Sequence, residues 1–167
     1  MKTTSKRVAV LGLFTCLALI LSFLETLLPP LTAIAPGVKI GLPNVIIIFL
    51  LIRLDFKSAA AVSIVRIMLA SLLFGTAVSF VYSLAGAVLS LIIMYLLKKS
   101  DLFSLPVISI AGALSHNAAQ IGVAALLMHT KELLYYLPVL CLSALISGVL
   151  VGLTALLLIK ALKKVNL

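Results

Sequence analysis

Long apolar runs constrain this chain more than any other feature of its sequence. Of its 167 residues, 64% are hydrophobic and only 10% are charged. Soluble domains usually contain about 25% charged residues, whereas apolar runs of about 20 residues are typical of transmembrane helices. The sequence therefore predicts an integral membrane protein.

The apolar runs predict an all-α fold with six transmembrane helices in one domain, residues 1–167. The first run is too long for the apolar part of a signal peptide, and no cleavage motif follows it, so we expect it to remain as a helix. The third and fourth runs are separated by little more than "FGTA". The predicted spans are approximately 8–28, 40–52, 58–75, 76–97, 105–128 and 133–159.

The segment "APGVKIGLPNV", residues 35–45, interrupts the pattern just before the second span. The apolar run that follows has about eleven residues, or roughly 17 Å of helix, which is too short to cross a bilayer core of about 30 Å. We expect a broken or re-entrant segment that lines a cavity, with Asn44 and the free N–H groups of a new helix facing that cavity. A plain surface loop is the alternative.

Basic residues are distributed unevenly between the ends of the spans. If the N-terminus is cytoplasmic, the inner segments hold ten Lys and Arg residues and the outer segments hold two, Lys39 and Lys131. This asymmetry predicts a multi-pass protein of the cell membrane with both termini in the cytoplasm. Because the basic residues form short clusters between spans and no continuous basic face, we expect membrane lipid as a partner and no nucleic acid.

Small residues at helical spacing predict where helices approach closely, since such residues let backbones meet in lipid. On the fourth and sixth spans we expect this packing to occur within the bundle. On the first span, Gly12 and Cys16 are predicted either to pack inside the bundle or to form a docking face for another membrane subunit. The fourth span carries Ser79, Ser83, Gly86 and Ser90, and the sixth carries Ala144, Gly148 and Gly152.

A charge near the middle of a span is the strongest functional signal in the sequence. Arg66 lies near the centre of the third span, where insertion scales assign an arginine a cost of roughly 2.5 to 3.5 kcal/mol. It is predicted to bind an anion in a cavity, or to form an internal ion pair with Glu25, which lies nearer the outer surface. A third possibility is that its side chain extends toward a backbone carbonyl.

Three polar residues form a second cluster on the fifth span. His116 and Gln120 share one helical face, and Asn117 is about 100° away. Together they favour one wall of a binding site, with hydrogen bonds between helices as the alternative. No second histidine follows at metal-ligand spacing, so no metal site is predicted.

Motifs of catalysis are missing from the sequence. It contains no G-x-x-x-x-G-K-[ST] phosphate loop, so any ATP must be used by partner subunits. Its two aspartates, Asp55 and Asp101, are far apart and do not form a carboxylate pair for Mg²⁺ and a diphosphate. We therefore predict that the chain is not an enzyme and holds no cofactor of its own.

Three stretches resemble a known family over nearly the whole chain. They are "PGVKIGLPN" (36–44), "SIVRIMLASLLFGTAVSFVYSLAGAVLSLIIMYLLKK" (63–99) and "GALSHNAAQIGVAALL" (112–127). They resemble the Gx transporter family, often labelled heptaprenyl diphosphate synthase component I. Pro43 departs from the pattern, because that family more often has a small residue there.

The resemblance has two implications for function. The family is similar to the S-components of energy-coupling factor transporters, six-helix proteins that bind a vitamin-like solute from outside. These work with a transmembrane coupling subunit and two ATPase subunits. The label implies the alternative of a membrane accessory subunit linked to heptaprenyl diphosphate and menaquinone synthesis, or to flavin-based electron transfer.

The first implication fits the predicted spans and the missing ATPase motif, so we expect an S-component-like subunit with an outward-opening site. The expected solute is small and anionic, either vitamin-like or related to isoprenoids or flavins. Basic groups would attract it, and amide and imidazole groups would orient it. The predicted substrate-binding residues are Glu25, Lys39, Asn44, Arg66, His116, Asn117 and Gln120.

Overall fold

The computed structural model describes residues 4–27 and 40–163, and it confirms the predicted all-α membrane bundle. In this part of the chain, five helices are long and apolar enough to cross a membrane, and one further helix is short. A 3₁₀ helix, Lys131–Tyr136, precedes the last helix. The α-helices are α1 (Thr4–Leu27), α2 (Asn44–Arg53), α3 (Phe56–Phe74), α4 (Ala77–Lys99), α5 (Leu105–Leu127) and α6 (Leu137–Ala161).

The helix boundaries differ most from the predicted spans at the first, second and sixth, and the first helix begins earlier than predicted, at Thr4. The second span was predicted from residue 40, but α2 begins at Asn44 because Gly41 has a left-handed φ of 78° and the chain turns there. The sixth was predicted from residue 133, but α6 begins only at Leu137, after the 3₁₀ helix. Of the predicted broken segment, residues 35–45, the part from 35 to 39 lies outside the described residues.

The short helix α2 forms the centre of the bundle. All residues from Val45 to Leu51 are buried, and α2 contacts α1, α3, α4 and α6. A helix that is apolar on every side is stable only when other elements surround it. With ten residues, α2 is about 15 Å long, so it fills only about half the thickness of a bilayer core.

The small residues of α6 allow it to pack closely on α5, as predicted. A Cβ atom added at Gly148 would lie 2.7 Å from Cα of Ile110, and one added at Gly152 would lie 2.7 Å from Cα of Pro106. These neighbours are backbone atoms, which cannot move aside as a flexible side chain can. The two glycines therefore set the distance between α5 and α6.

The predicted packing role of the small residues on α4 is only partly correct. Gly86 and Ser90 pack against α5, and Oγ of Ser90 would be 3.2 Å from a Cβ atom added at Gly112, but all three serines of the series also line a cavity. A serine can satisfy its hydroxyl group within its own helix, so its spacing alone does not distinguish packing from cavity lining. The serines concerned are Ser79, Ser83 and Ser90.

Basic side chains join the helices at one end of the bundle. Nζ of Lys98 donates to the carbonyl oxygen of Leu51 at 2.6 Å, and Nη2 of Arg53 donates to that of Leu162 at 3.2 Å. Both carbonyls lie at the C-terminal ends of helices, where the backbone dipole favours positive charge. The basic residues predicted to be cytoplasmic thus stabilise the end at which α2 and α6 finish.

We predict that Gly148→Ala destabilises the bundle. The added methyl group meets backbone atoms of α5, and overpacking of this kind typically costs about 1 to 3 kcal/mol. The thermal unfolding midpoint of the purified protein in detergent should therefore fall. Gly122→Ala is the matched control, because a Cβ atom there has no neighbour within 4 Å. An equal midpoint for the two variants would contradict the proposed close contact.

We also predict that Asp55 contributes to the stability of the fold in a pH-dependent way. Its carboxylate caps α3 by accepting the N–H of Ser58, and it pairs with Arg7. Burial alone would raise the pKa of Asp55, but hydrogen bonds from Ser58 and the charge of Arg7 outweigh it and hold the pKa below its ordinary value of 3.8. The stabilisation is therefore present above about pH 4 and is lost as the pH falls through the lowered pKa.

Asp55→Asn isolates this charge, because asparagine is also a good helix cap. At neutral pH the variant should be less stable by up to about 1 kcal/mol, since the ion pair is exposed. The difference from the wild type should vanish in thermal unfolding scans as the pH is lowered below about 4. A difference that stays constant with pH would show that the charge of Asp55 does not contribute.

Candidate functional site

A cavity of about 510 Å³ lies beside the N-terminal end of α2, where this short helix leaves space within the bundle. Its volume is within the range of about 300 to 1,000 Å³ that is usual for small-molecule sites. All six helices contribute to its wall. Six of the seven predicted substrate-binding residues line it: Glu25, Asn44, Arg66, His116, Asn117 and Gln120. The seventh, Lys39, lies outside the described residues.

Arg66 is the buried charge of this cavity. It is only 9% exposed, and its Nη1 donates to Oγ of Ser22 at 3.2 Å. Ser22 can accept this bond because its own hydroxyl hydrogen goes to the carbonyl oxygen of Ala18. The Nε atom of Arg66 has no hydrogen-bond partner among the described residues. An unsatisfied buried donor is costly, so an acceptor that enters the cavity would be bound favourably.

Glu25 lies in the same cavity but does not form the direct ion pair with Arg66 that the sequence left open. Its carboxylate accepts a hydrogen bond from the backbone N–H of Gly41, and its charge acts on Arg66 through space. Between described residues, no direct ion pair joins the two groups. Among the described residues, the cavity wall therefore contains one positive and one negative group, each held by other contacts.

The start of α2 corrects the prediction that free N–H groups face the cavity. The N–H groups of Asn44, Val45 and Ile46 each bond to the carbonyl oxygen three residues earlier, at 2.9, 3.2 and 3.1 Å. The positive φ of Gly41 closes the turn that brings these carbonyls into reach. At this helix start, the side chain of Asn44 is what lines the cavity.

All three polar residues of α5 line the cavity, and one of them, Asn117, also joins α5 to α6. His116 and Gln120 lie over Gly86 of α4, where an added Cβ atom would be 3.0 Å from Nδ1 of His116 and 2.9 Å from Cγ of Gln120. Asn117 lines the cavity, but its Nδ2 donates to the carbonyl oxygen of Leu140 on α6 at 3.0 Å. The alternative of a hydrogen bond between helices is therefore realised for Asn117.

Hydroxyl groups form a part of the wall that sequence reasoning missed. They come from all the long helices and from the α3–α4 turn, and they give the cavity a polar lining with few charges. Their recurrence on one face of α4 was a usable signal, but it was interpreted as helix packing. The lining hydroxyl residues are Ser22, Thr26, Ser71, Thr76, Ser79, Tyr82, Ser83, Ser90, Ser109 and Ser147.

Two further sets of predicted residues lie away from the cavity. Gly12 and Cys16 are on the outer face of α1, where Cys16 is exposed and a Cβ atom at Gly12 would have no neighbour within 4 Å. This placement excludes tight packing of Gly12 against the described helices. As for metals, no group of three or more His, Cys, Asp or Glu side chains is placed to bind an ion within the described part of the chain.

Comparison with known proteins identifies the family. The sequence model described as heptaprenyl diphosphate synthase component I matches residues 14–158. The chain belongs to this family. No curated protein and no solved structure matches the chain. The family description associates it with a membrane component of heptaprenyl diphosphate synthesis, and the apolar helices agree with a multi-pass membrane protein.

We predict that Arg66→Met raises the stability of the ligand-free protein. The variant removes a buried charge that has one hydrogen bond among the described residues, and exchange of a poorly compensated buried charge for an apolar group often stabilises a protein. The thermal unfolding midpoint in detergent should therefore increase. Arg53→Met is the control: it removes a bond to the end of α6 and should lower the midpoint. A lower midpoint in both variants would show that Arg66, like Arg53, stabilises the fold.

Proposed function

We propose that the protein is the solute-binding, S-component-like membrane subunit of an energy-coupling factor type transporter. The observation that supports this most directly is the 510 Å³ cavity with Arg66 buried in its wall. In this proposal the basic end of the bundle faces the cytoplasm of a bacterial cell. The cavity lies toward the opposite, outer end and takes up a small solute from outside.

The electrostatics of the cavity favour a solute that carries an anionic group. A guanidinium in a low-dielectric wall is poorly solvated, and an anion that reaches it replaces the missing water. The amide groups of Asn44 and Gln120 and the imidazole of His116 can then orient the solute by hydrogen bonds. Binding would thus relieve a cost that the empty protein bears.

Energy for transport would come from other subunits. The sequence has no phosphate-binding loop, so ATP would be hydrolysed by two ATPase subunits that act through a transmembrane coupling subunit. The outer face of α1 is the proposed docking surface, since Gly12 and Cys16 leave room there for a close helix contact. No cofactor is needed in this chain for such a function.

A second candidate function follows from the family description: a membrane accessory subunit of heptaprenyl diphosphate or menaquinone synthesis, or of flavin-based electron transfer. The charges of the cavity favour it less. A diphosphate carries at least two negative charges, whereas the described cavity residues supply one positive group, Arg66, and one negative group, Glu25. The aspartates give no Mg²⁺ site, because Asp55 is paired with Arg7.

We predict that the tagged protein co-purifies from its native membrane with a coupling subunit and two ATPases. Gly12→Leu combined with Cys16→Leu should reduce this capture at least about tenfold, because the larger side chains hold a partner helix away. Ala118→Leu, on an exposed position of α5, is the matched control and should leave capture unchanged. Mass spectrometry of the purified complexes gives the measurement.

Other outcomes of the same purification would support the second candidate. Recovery with only a soluble prenyl diphosphate synthase, together with an increase in its activity, would establish the accessory role. Bound flavin or quinone, detected by absorbance or by extraction, would point to electron transfer. Either result, without a coupling subunit, would refute the transporter proposal.

A further inference from the structure

The described lining of the cavity contains two opposite charges that do not form a direct ion pair. Arg66 lies in the middle of α3, and Glu25 lies near the C-terminal end of α1. Each is fixed by a different neighbour: Arg66 by the hydroxyl of Ser22, and Glu25 by the backbone N–H of Gly41. A solute in the space between them would meet both.

The guanidinium of Arg66 has hydrogen-bonding capacity that the described residues do not use. Nη1 donates to Oγ of Ser22, whereas the buried Nε atom has no hydrogen-bond partner among the described residues. A guanidinium can bind both oxygens of a carboxylate through parallel N–H groups. Because Arg66 is more than nine-tenths buried and lines the cavity, its guanidinium forms part of a built site.

Glu25 offers the opposite chemistry. One of its oxygens accepts the N–H of Gly41, and the other accepts no hydrogen bond from the part of the chain that is described. A solute with only a negative charge would bring that charge near Glu25 and leave the described cavity with one excess negative charge. In a medium of low dielectric such an excess is expensive. A solute that also carries a cationic group avoids this cost.

We infer that the solute is a zwitterion, with a carboxylate bound by Arg66 and an ammonium or similar cation bound by Glu25. This inference rests on the proposed solute-binding function and narrows its substrate class. The hydroxyl-rich wall between the two charges accepts a polar scaffold, while apolar residues such as Ile67 and Val151 accept its less polar parts.

The test uses amino acids as probes in three chemical forms. The purified full-length protein is immobilised in lipid nanodiscs and incubated with an equimolar mixture of free amino acids, their N-acetyl derivatives and their amides. These forms present a zwitterion, an anion and a cation on the same side chains. Retained compounds are released and quantified by mass spectrometry. The wild type should retain the free form at least about tenfold more than either derivative of the same side chain.

Variants of Arg66 and Glu25 test which residue binds the carboxylate of the solute and which binds its cationic group. Arg66→Gln should abolish retention of the free and N-acetyl forms alike. Glu25→Gln should retain the free and N-acetyl forms equally, whereas Glu25→Asp should still retain the free form more strongly. Glu132→Gln is the matched control, because Glu132 is exposed on the 3₁₀ helix and does not line the cavity. Thermal unfolding of each variant confirms that it is folded.

Three results would overturn the inference. The first is equal retention of free and N-acetyl forms by the wild type. The second is retention of no form above the Arg66→Gln background. The third is an unchanged preference for the free form in Glu25→Gln, which would show that Glu25 does not bind the cationic group. None of them decides the transporter proposal, which depends separately on co-purification with the coupling subunit.

Discussion

The short length of α2 is the constraint on which the rest of this structure depends. A ten-residue apolar helix cannot cross a bilayer alone, and its lack of a polar face means that it must be enclosed by other helices. α1, α3, α4 and α6 enclose it. Because it spans only about half of the membrane, the bundle has a solid half next to its basic end and a hollow half beyond Asn44. The cavity is a direct consequence of that missing length.

This arrangement also accounts for a charged residue at membrane depth. In a solid bundle Arg66 would need a buried partner of opposite charge, but at the edge of the hollow half it can face a polar space. Ser22 and the through-space effect of Glu25 compensate it incompletely. Incomplete compensation lowers the stability of the protein without a ligand and, in the proposed function, favours the binding of an anionic group. The same residue therefore connects the stability of the fold with its proposed function.

The sequence predicted those features that depend only on the residues within one continuous stretch of the chain. Run lengths predicted the helices and the short second span, and the rarity of charge in an apolar span pointed to Arg66. It could not predict features that depend on distant residues or on local backbone angles. The bond from Asn117 to Leu140 joins residues 23 positions apart, and the occupied N–H groups of α2 follow from the φ angle of Gly41. Serines were missed because their hydroxyls suit packing and cavities equally.

The two faces of α1 suggest how binding and docking could be linked. One face carries Ser22 and Glu25, whose contacts hold Arg66 and the turn at Gly41. The opposite face carries Gly12 and Cys16 on the surface of the bundle. In the proposed function, a solute bound by Arg66 and Glu25 adds contacts to two groups that already fix α1 over the cavity. A ligand shifts a conformational equilibrium only if it makes different contacts in the two states of the protein. In the proposed transporter, α1 is therefore the element through which occupancy of the cavity would reach the coupling subunit.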